Sequence, residues 1–284
     1  MLSFLLILVA VNGGACVDWC ELSCKREDAT YKHTVCERGE SCPPEPGCED
    51  ADIFTDEMKK FLLDETNRYR NMIALGEEPR VPEEWKGASD MMALSWDNQL
   101  EYVVRCHIRR CKFEHDKCRI TPKYSSGQNL AITVFKPKGN CTHKTITRLM
   151  AGWYNEVANM KPEYYGSFQD VGSLAMDKMI GHFTQLVWAK TEYVGCAITT
   201  KVSEGETMCL LGCNYGPTGN YLEDPVYTKG APCSQCPNGL KCNSVYGGLC
   251  GEITEPTSGS FSISISDSFV LCLGMIVSIH YLIN

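Results

Sequence analysis

The sequence predicts a disulfide-rich α+β fold made in an oxidising compartment. Three observations carry this: several segments with apolar residues at helical spacing, one pair of strand-like segments joined by a short loop, and eighteen cysteines behind an apolar leader.

The leader is MLSFLLILVAVNGGA, an apolar run ending in small residues, which reads as a secretory signal. Cleavage after Cys16 leaves sixteen cysteines from Val17 to Cys250, an even set, whereas cleavage after Ala15 follows the commoner residue preference. Both sites stay open, and the signal is assigned to 1–16. Residues 17–50 then hold five cysteines, a Pro-Pro pair and a Pro-Gly turn with almost no apolar periodicity, and read as a stapled irregular arm.

Thr55 followed by Asp56 and Glu57 starts the first helix, with Met58, Phe61, Leu62, Tyr69, Met72 and Ile73 on its stripe and Gly76 at its end. A second helix begins near Asp97 and carries Leu100, Val103, Val104 and His107. A third covers about 145–160, with Ile146, Leu149, Met150, Trp153 and Val157 in line, and a short fourth starts near Ile180. YVGCAITTKV and TMCLLGCNYG read as strands joined at 203–206. A symmetric loop sets Val202 against Thr207, Cys196 against Cys213 and Cys209 against Thr200, so Cys196 and Cys213 are placed for a cross-strand disulfide.

The formal charge of −8 argues against nucleic acid or anionic headgroups as partners. The sequon Asn140-Cys141-Thr142 ends a Lys-Pro-Lys-Gly stretch and marks Asn140 for glycosylation. Beyond Cys250 a polar linker, 252–268, leads into the apolar tail FVLCLGMIVSIHYLIN, 269–284. Small residues Ser258, Gly259 and Ser260 before that tail form the pattern of a glycosylphosphatidylinositol signal, with a transmembrane helix as the alternative. Membrane contact is expected only through this anchor.

GHFTQLVWAKT and CNYGPTGNYLED, with SGQNLA at 126–131 and WDNQLEYVVRC at 96–106, resemble the signature segments of the cysteine-rich secretory, antigen 5 and pathogenesis-related superfamily. The arm DWCELSCKREDATYKHTVC looks most like insect antigen 5 venom allergens, and KGAPCSQCPNGLKCNSVYGGLC resembles the family's cysteine-rich hinge. The resemblance implies a three-layer α-β-α sandwich with a central antiparallel sheet over 51–228 and a hinge at 229–251. It implies bridges Cys20–Cys36, Cys24–Cys118, Cys196–Cys213, Cys233–Cys242 and Cys236–Cys250, with Cys111 joined to Cys42 or Cys48. Cys106 with Cys141 is a residual guess, and Cys209 is unassigned. No cysteine lies between Cys250 and Cys272, so the channel-blocking domain of snake-venom relatives has no counterpart there.

The family's cavity uses two histidines and two acids. Carried over, these positions are His115 in CKFEHDKC, Gln128, Glu156 in GWYNEV, and His182. Two departures stand out. Gln128 is an amide where many members have glutamate, and Thr66, on the inward stripe between Leu62 and Tyr69, replaces the usual histidine. Two imidazoles with one carboxylate could hold zinc weakly, although no cofactor is required. Hydrolysis is disfavoured because an amide is a poor ligand, GxSxG is absent and the cysteines look structural.

The leading expectation is a non-enzymatic extracellular binding protein. Relatives are implicated in binding sterols and fatty acids, and 44% hydrophobic residues leaves apolar surface for a lipid or sterol pocket. An extracellular protein partner, as for a salivary or venom effector, is the second form of this reading. The alternative is a metal-assisted hydrolase with His115 and His182 as ligands and Glu156 as base. His33, His107 and His143 are expected to be surface or satisfied residues, Met91 and Met92 packing, and Glu77, Glu78, Glu83 and Glu84 solvated loop positions.

Overall fold

The computed structural model describes residues 17–26, 29–170 and 178–257. The expected leader at 1–16 and anchor signal from 258 onward lie outside the described residues. In chain order the elements are β1 (Ser23–Arg26), β2 (Ala29–Lys32), α1 (Thr34–Arg38), β3 (Cys48–Asp50), α2 (Asp56–Ala74), β4 (Ser95–Trp96) and α3 (Asn98–Ile108). There follow β5 (Gly127–Phe135), α4 (His143–Asn155), α5 (Pro162–Gly166), α6 (Gly181–Leu186), β6 (Tyr193–Ser203) and β7 (Glu206–Gly216). No described helix is long and apolar enough to cross a membrane.

Local chemistry sets the helix ends. Thr55 accepts the Met58 N–H at 3.3 Å, and Asp97 Oδ1 accepts those of Gln99 and Leu100 at 2.8 and 2.9 Å. Thr66 faces the core, and its hydroxyl donates to the Leu62 carbonyl at 2.8 Å, so a polar residue sits in apolar surroundings without an unpaired group. The third helix is shorter than its stripe suggests. It ends at Asn155 and tightens into a 3-10 turn over Glu156–Asn159, a common way to satisfy a C-terminal turn.

The sheet runs β3-β6-β7-β5, with antiparallel neighbours throughout and β4 lying parallel to the start of β6. The β6–β7 register sets Cys196 against Cys213, Val202 against Thr207 and Thr200 against Cys209, as the alternation predicts. Glu204 (φ 48°) and Gly205 (φ 78°) are both left-handed, the geometry that a two-residue hairpin matching strand twist demands.

The two faces of the sheet are covered differently. Cys196, Ile198, Cys209, Leu211, Cys213 and Tyr215 pack with α2, α4 and α6 in the main core. Ala197 and Leu210 face α3 through Val104 and Ile108. A Cβ on Gly195 would lie 2.2 Å from the Glu101 backbone nitrogen, so glycine is what lets α3 rest directly on the sheet. The result is the three-layer α-β-α sandwich.

Eight disulfides join all sixteen cysteines between Val17 and Cys250. Cys20–Cys36, Cys24–Cys118, Cys196–Cys213, Cys233–Cys242 and Cys236–Cys250 are formed, and Cys111 takes Cys48. The guess that Cys106 joins Cys141 is corrected: Cys106 pairs with Cys42, and Cys141 with Cys209. The reason is the layering. Cys106 lies on α3 among Trp19, Val35 and Val103 of the arm cluster, whereas Cys141 packs against the main core on the other side of the sheet.

The arm is also less irregular than its composition suggests. It forms the β1–β2 hairpin and α1, and its last strand, β3, joins the main sheet. Asp50 at the end of β3 takes hydrogen bonds from Arg105 Nε at 3.1 Å and Arg109 Nε at 2.9 Å. Burial opposes its ionisation, but these two guanidinium groups outweigh burial and hold its pKa at about 2.

One further expectation changes. Glu78 is buried, not solvated, accepting from Arg80 Nε at 2.6 Å and from the Tyr154 hydroxyl at 2.8 Å. His33 and His107 are buried with hydrogen-bond partners. Met91 and Met92 are packing residues as expected. The hinge and the start of the linker lie against the domain: the Trp96 N–H donates to the Thr254 carbonyl at 2.8 Å and Lys60 pairs with Glu255 at 3.2 Å.

Candidate functional site: a two-histidine cleft at the β5 edge

His115 lies on the loop between α3 and β5, and that loop is stapled at both ends to the arm through Cys48–Cys111 and Cys24–Cys118. Hydrogen bonds hold it between the staples. His107 Nε2 donates to the Glu114 carbonyl at 2.7 Å, and His33 Nε2 donates to the Ile120 carbonyl at 2.9 Å. His33 Nδ1 meanwhile accepts the Val35 N–H at 3.2 Å and caps α1. The Thr34 N–H donates to the Cys118 carbonyl at 2.9 Å.

Below His115 sits a buried polar network. Gln128 Nε2 donates to Asp116 Oδ1 and to Asn214 Oδ1, both at 3.1 Å. Asp116 is buried, which opposes its charge, yet the neighbouring Arg119 and His107 and the Thr34 hydroxyl keep its pKa at about 2. Because ionised Asp116 can only accept, the Gln128 amide is fixed with Nε2 toward it and Oε1 toward His115 Nδ1, 2.7 Å away. His115 must therefore donate from Nδ1, which leaves Nε2 as the bare nitrogen of the neutral ring.

The second histidine is fixed by the same logic from the opposite layer. Glu156 follows the last residue of α4. Its Oε2 accepts the N–H groups of His182 and Phe183 at 2.9 and 3.1 Å, capping α6, which has no side-chain cap of its own. Its Oε1 is 2.6 Å from His182 Nδ1. The imidazole is stacked over Trp153 at 6.3 Å, and Asn129 Nδ2 holds the His182 carbonyl at 3.0 Å. Nε2 is the ring nitrogen turned away from Glu156.

Gln128 and Asn129, adjacent on the edge strand β5, reach toward the two histidines, Gln128 to the His115 ring and Asn129 to the His182 carbonyl, and the histidines are near enough for His182 to influence the charge of His115. Partial burial lowers the His115 pKa, the Gln128 contact works against that, and the nearby Arg119 and His182 lower it further. The neutral His115 ring accordingly presents its Nε2 lone pair.

By donor chemistry His115 and His182 could ligate a weakly held divalent ion such as zinc, which would supply a Lewis acid there. Glu156 engages α6 through both oxygens and orients His182 in the way outer-shell carboxylates orient metal-binding histidines. Among the described residues, the acids and histidines of the cleft do not place three donor atoms within 4.8 Å of one another. Asp116, Asn129 and Asn214 were missed from sequence, since no spacing signal marks a loop or strand residue as part of a buried polar network.

The family model described as "Cysteine-rich secretory protein family" (CAP) matches residues 63–215. Venom allergen 5 2 of Polybia paulista is 37% identical over 217 residues, covering 74% of this chain and 98% of the relative. Among solved structures, Na-ASP-1 is similar at 28% identity and a TM-score of 0.58, covering 73% of this chain and 50% of the other, so this chain spans half its length. NaASP2, whose crystal structure is described as being with Zn2+, is similar at 26% identity and a TM-score of 0.53, covering 74% of this chain and all of the other. With its sandwich, its disulfides and these likenesses, the chain belongs to the cysteine-rich secretory protein (CAP) family.

Proposed function

We propose that this extracellular CAP protein is a non-enzymatic binding protein whose two-histidine cleft holds a divalent cation weakly. The observation that carries it is the engagement of Glu156: its carboxylate accepts two backbone N–H groups of α6 and faces the ring Nδ1 of His182, so it serves as a cap and an orienting partner. The zinc described for NaASP2 supports the cation reading. A hydrolase would need Glu156 as its base and a third ligand, whereas Glu156 is engaged by α6 and, among the described residues, the acids and histidines of the cleft do not place three donor atoms within 4.8 Å of one another.

The recognised ligand is proposed to be a lipid or sterol, or an extracellular protein partner, with the cleft contributing its ion. In the test, purified protein is assayed against ester and peptide substrates with and without zinc, beside a His115→Ala/His182→Ala variant. No turnover above that variant is expected, together with zinc binding that the variant lacks; histidine-dependent turnover would sink the proposal. Lipid extraction and mass spectrometry of the same preparation decide the lipid form. Surface attachment through a glycolipid added near Ser258 is part of this reading, and phosphatidylinositol-specific phospholipase C should release the protein from expressing cells.

A further inference from the structure

The hinge holds a sulfur cluster. Cys233, Cys236 and Cys250 bring their sulfurs within 4.8 Å of one another. All three are oxidised, in Cys233–Cys242 and Cys236–Cys250. Zinc takes thiolates, and a disulfide supplies none, so this trio is no metal site in its paired state. Sulfurs of two different disulfides within 4.8 Å of one another have another chemical meaning. A thiolate released from one bond is already beside the other, and thiol–disulfide exchange needs little more than that approach.

Two relations in the chain show where such an exchange leads. Cys233-Ser234-Gln235-Cys236 has the C-x-x-C spacing that closes a disulfide within one turn. Cys242 and Cys250 are directly opposed in an antiparallel bridge, the placement from which a cross-strand disulfide forms. Each of the four cysteines therefore has two partners within reach. Cys242 is exposed while Cys250 is buried, so the Cys233–Cys242 bond offers the accessible sulfur. Cys233 Sγ lies 3.4 Å from the carbonyl oxygens of both Gly247 and Leu249, which keeps it beside the strand that carries Cys250. Its backbone is also held in the left-handed region, at φ 58°, an uncommon conformation for cysteine.

We propose that the hinge is a thiol-triggered disulfide-exchange site that converts Cys233–Cys242 and Cys236–Cys250 into Cys233–Cys236 and Cys242–Cys250. The co-reactant is a low-molecular-weight thiol. Its thiolate attacks Cys242 Sγ, forming a mixed disulfide and releasing the Cys233 thiolate. Cys233 attacks Cys236 Sγ, closing the C-x-x-C bond and releasing the Cys250 thiolate. Cys250 attacks Cys242 Sγ in the mixed disulfide and returns the external thiol. Two disulfides are consumed and two are formed, with no net oxidation or reduction.

The exchange changes what the hinge is tied to. Cys250 is fixed to the main domain, its N–H donating to the Met91 carbonyl at 2.7 Å and its carbonyl accepting the Ala93 N–H at 2.9 Å. In the structure Cys236–Cys250 therefore anchors the C-x-x-C turn to the domain. After exchange both bonds are local, and the turn is held by hydrogen bonds such as that from the Gln235 N–H to the Ser89 carbonyl at 2.9 Å.

Trypsin provides a direct test because it cuts after Lys229 and Lys241, separating 230–241, with Cys233 and Cys236, from the segment that begins at Cys242. In untreated full-length protein the two peptides should emerge linked. After incubation with reduced glutathione, acid quenching and alkylation, the linked species should be lost and replaced by two separate peptides, each with an internal disulfide. Peptides that stay linked, or that lose their bonds without gaining internal ones, would overturn the proposal. The exposed position allows a second test with Cys242→Ser. The free thiol should migrate to Cys250 with Cys233–Cys236 closed; alkylation on Cys233 instead would also overturn it.

Discussion

Glu156 and His182 share more than one bond: Oε1 stands 2.6 Å from the ring Nδ1, while Oε2 accepts the backbone N–H of the same residue at 2.9 Å. The carboxylate thereby fixes both the start of α6 and the tautomer of its histidine. In Glu156→Gln one of those roles must fail. If the amide oxygen keeps the backbone N–H groups, its NH2 faces Nδ1 and drives the ring proton to Nε2, the nitrogen a metal needs. Zinc affinity should fall by roughly 10–100-fold, and stability by about 1–3 kcal/mol for the lost charged acceptor. Calorimetric titration reads the first, denaturant unfolding the second, and imidazole nitrogen shifts the tautomer.

Gln128→Glu would restore the acid that many relatives carry, yet it should destabilise this chain. The new carboxylate would take the place of an NH2 group that now lies 3.1 Å from Asp116 Oδ1. Asn214 can turn its amide to donate to the newcomer; ionised Asp116 cannot. A loss of about 1–3 kcal/mol near neutral pH is expected, together with an upward shift of the His115 pKa in an NMR titration. Unchanged stability would show that Asp116 does not dictate the amide.

Acid should weaken the fold in two stages. Burial is the leading cause that lowers the pKa values of His33, His107 and His115 below the ordinary imidazole value. Over that window the native state binds fewer protons than the unfolded chain, so stability rises with pH. The contribution is complete above about pH 6.5 and is lost as pH falls through the lowered native values. Protonating His33 also removes the acceptor for the Val35 N–H. Asp50, Glu78 and Asp116, held near 2, add a second loss as pH falls from the ordinary carboxylate range toward 2. Denaturant midpoints that did not change between pH 7.5 and 5 would exclude the histidine stage.

Arg70 is a buried guanidinium that binds only backbone carbonyls: those of Met92, Leu186, Trp188, Ala189 and Thr191, at 2.8–3.2 Å. Burial lowers its pKa to about 9, still charged near neutrality. Arg70→Lys keeps the charge but loses the planar fork and leaves carbonyls unpaired, which should cost about 3 kcal/mol. Thermal unfolding measures this, and a shift of only a degree or two would mean the carbonyls find other donors.

What the sequence revealed depended on range. The β6–β7 register followed from alternation and one loop, and Cys196 met Cys213 because both are local to that hairpin. Thr66 was placed on the inward stripe by helical spacing alone. The partners of Cys106 and Cys141 could not be read that way, since they depend on which side of the sheet each cysteine occupies. Glu78 illustrates the same limit: an acid in a polar stretch looks solvated until Arg80 and Tyr154 close over it. In the cleft, resemblance supplied four positions, while the commitment of Glu156 and the role of Asp116 came only from geometry.

The staples of the His115 loop also bear on the order of assembly. Cys20–Cys36, Cys196–Cys213, Cys233–Cys242 and Cys236–Cys250 close over 9–17 residues, whereas Cys48–Cys111 and Cys24–Cys118 span 63 and 94. Bringing distant residues together costs more chain entropy, so long closures follow local ones. During oxidative maturation the hairpin and hinge can lock early, while the segment that carries His115 waits for the arm to dock. A chain with both imidazoles in place has thus already joined its arm to its sandwich.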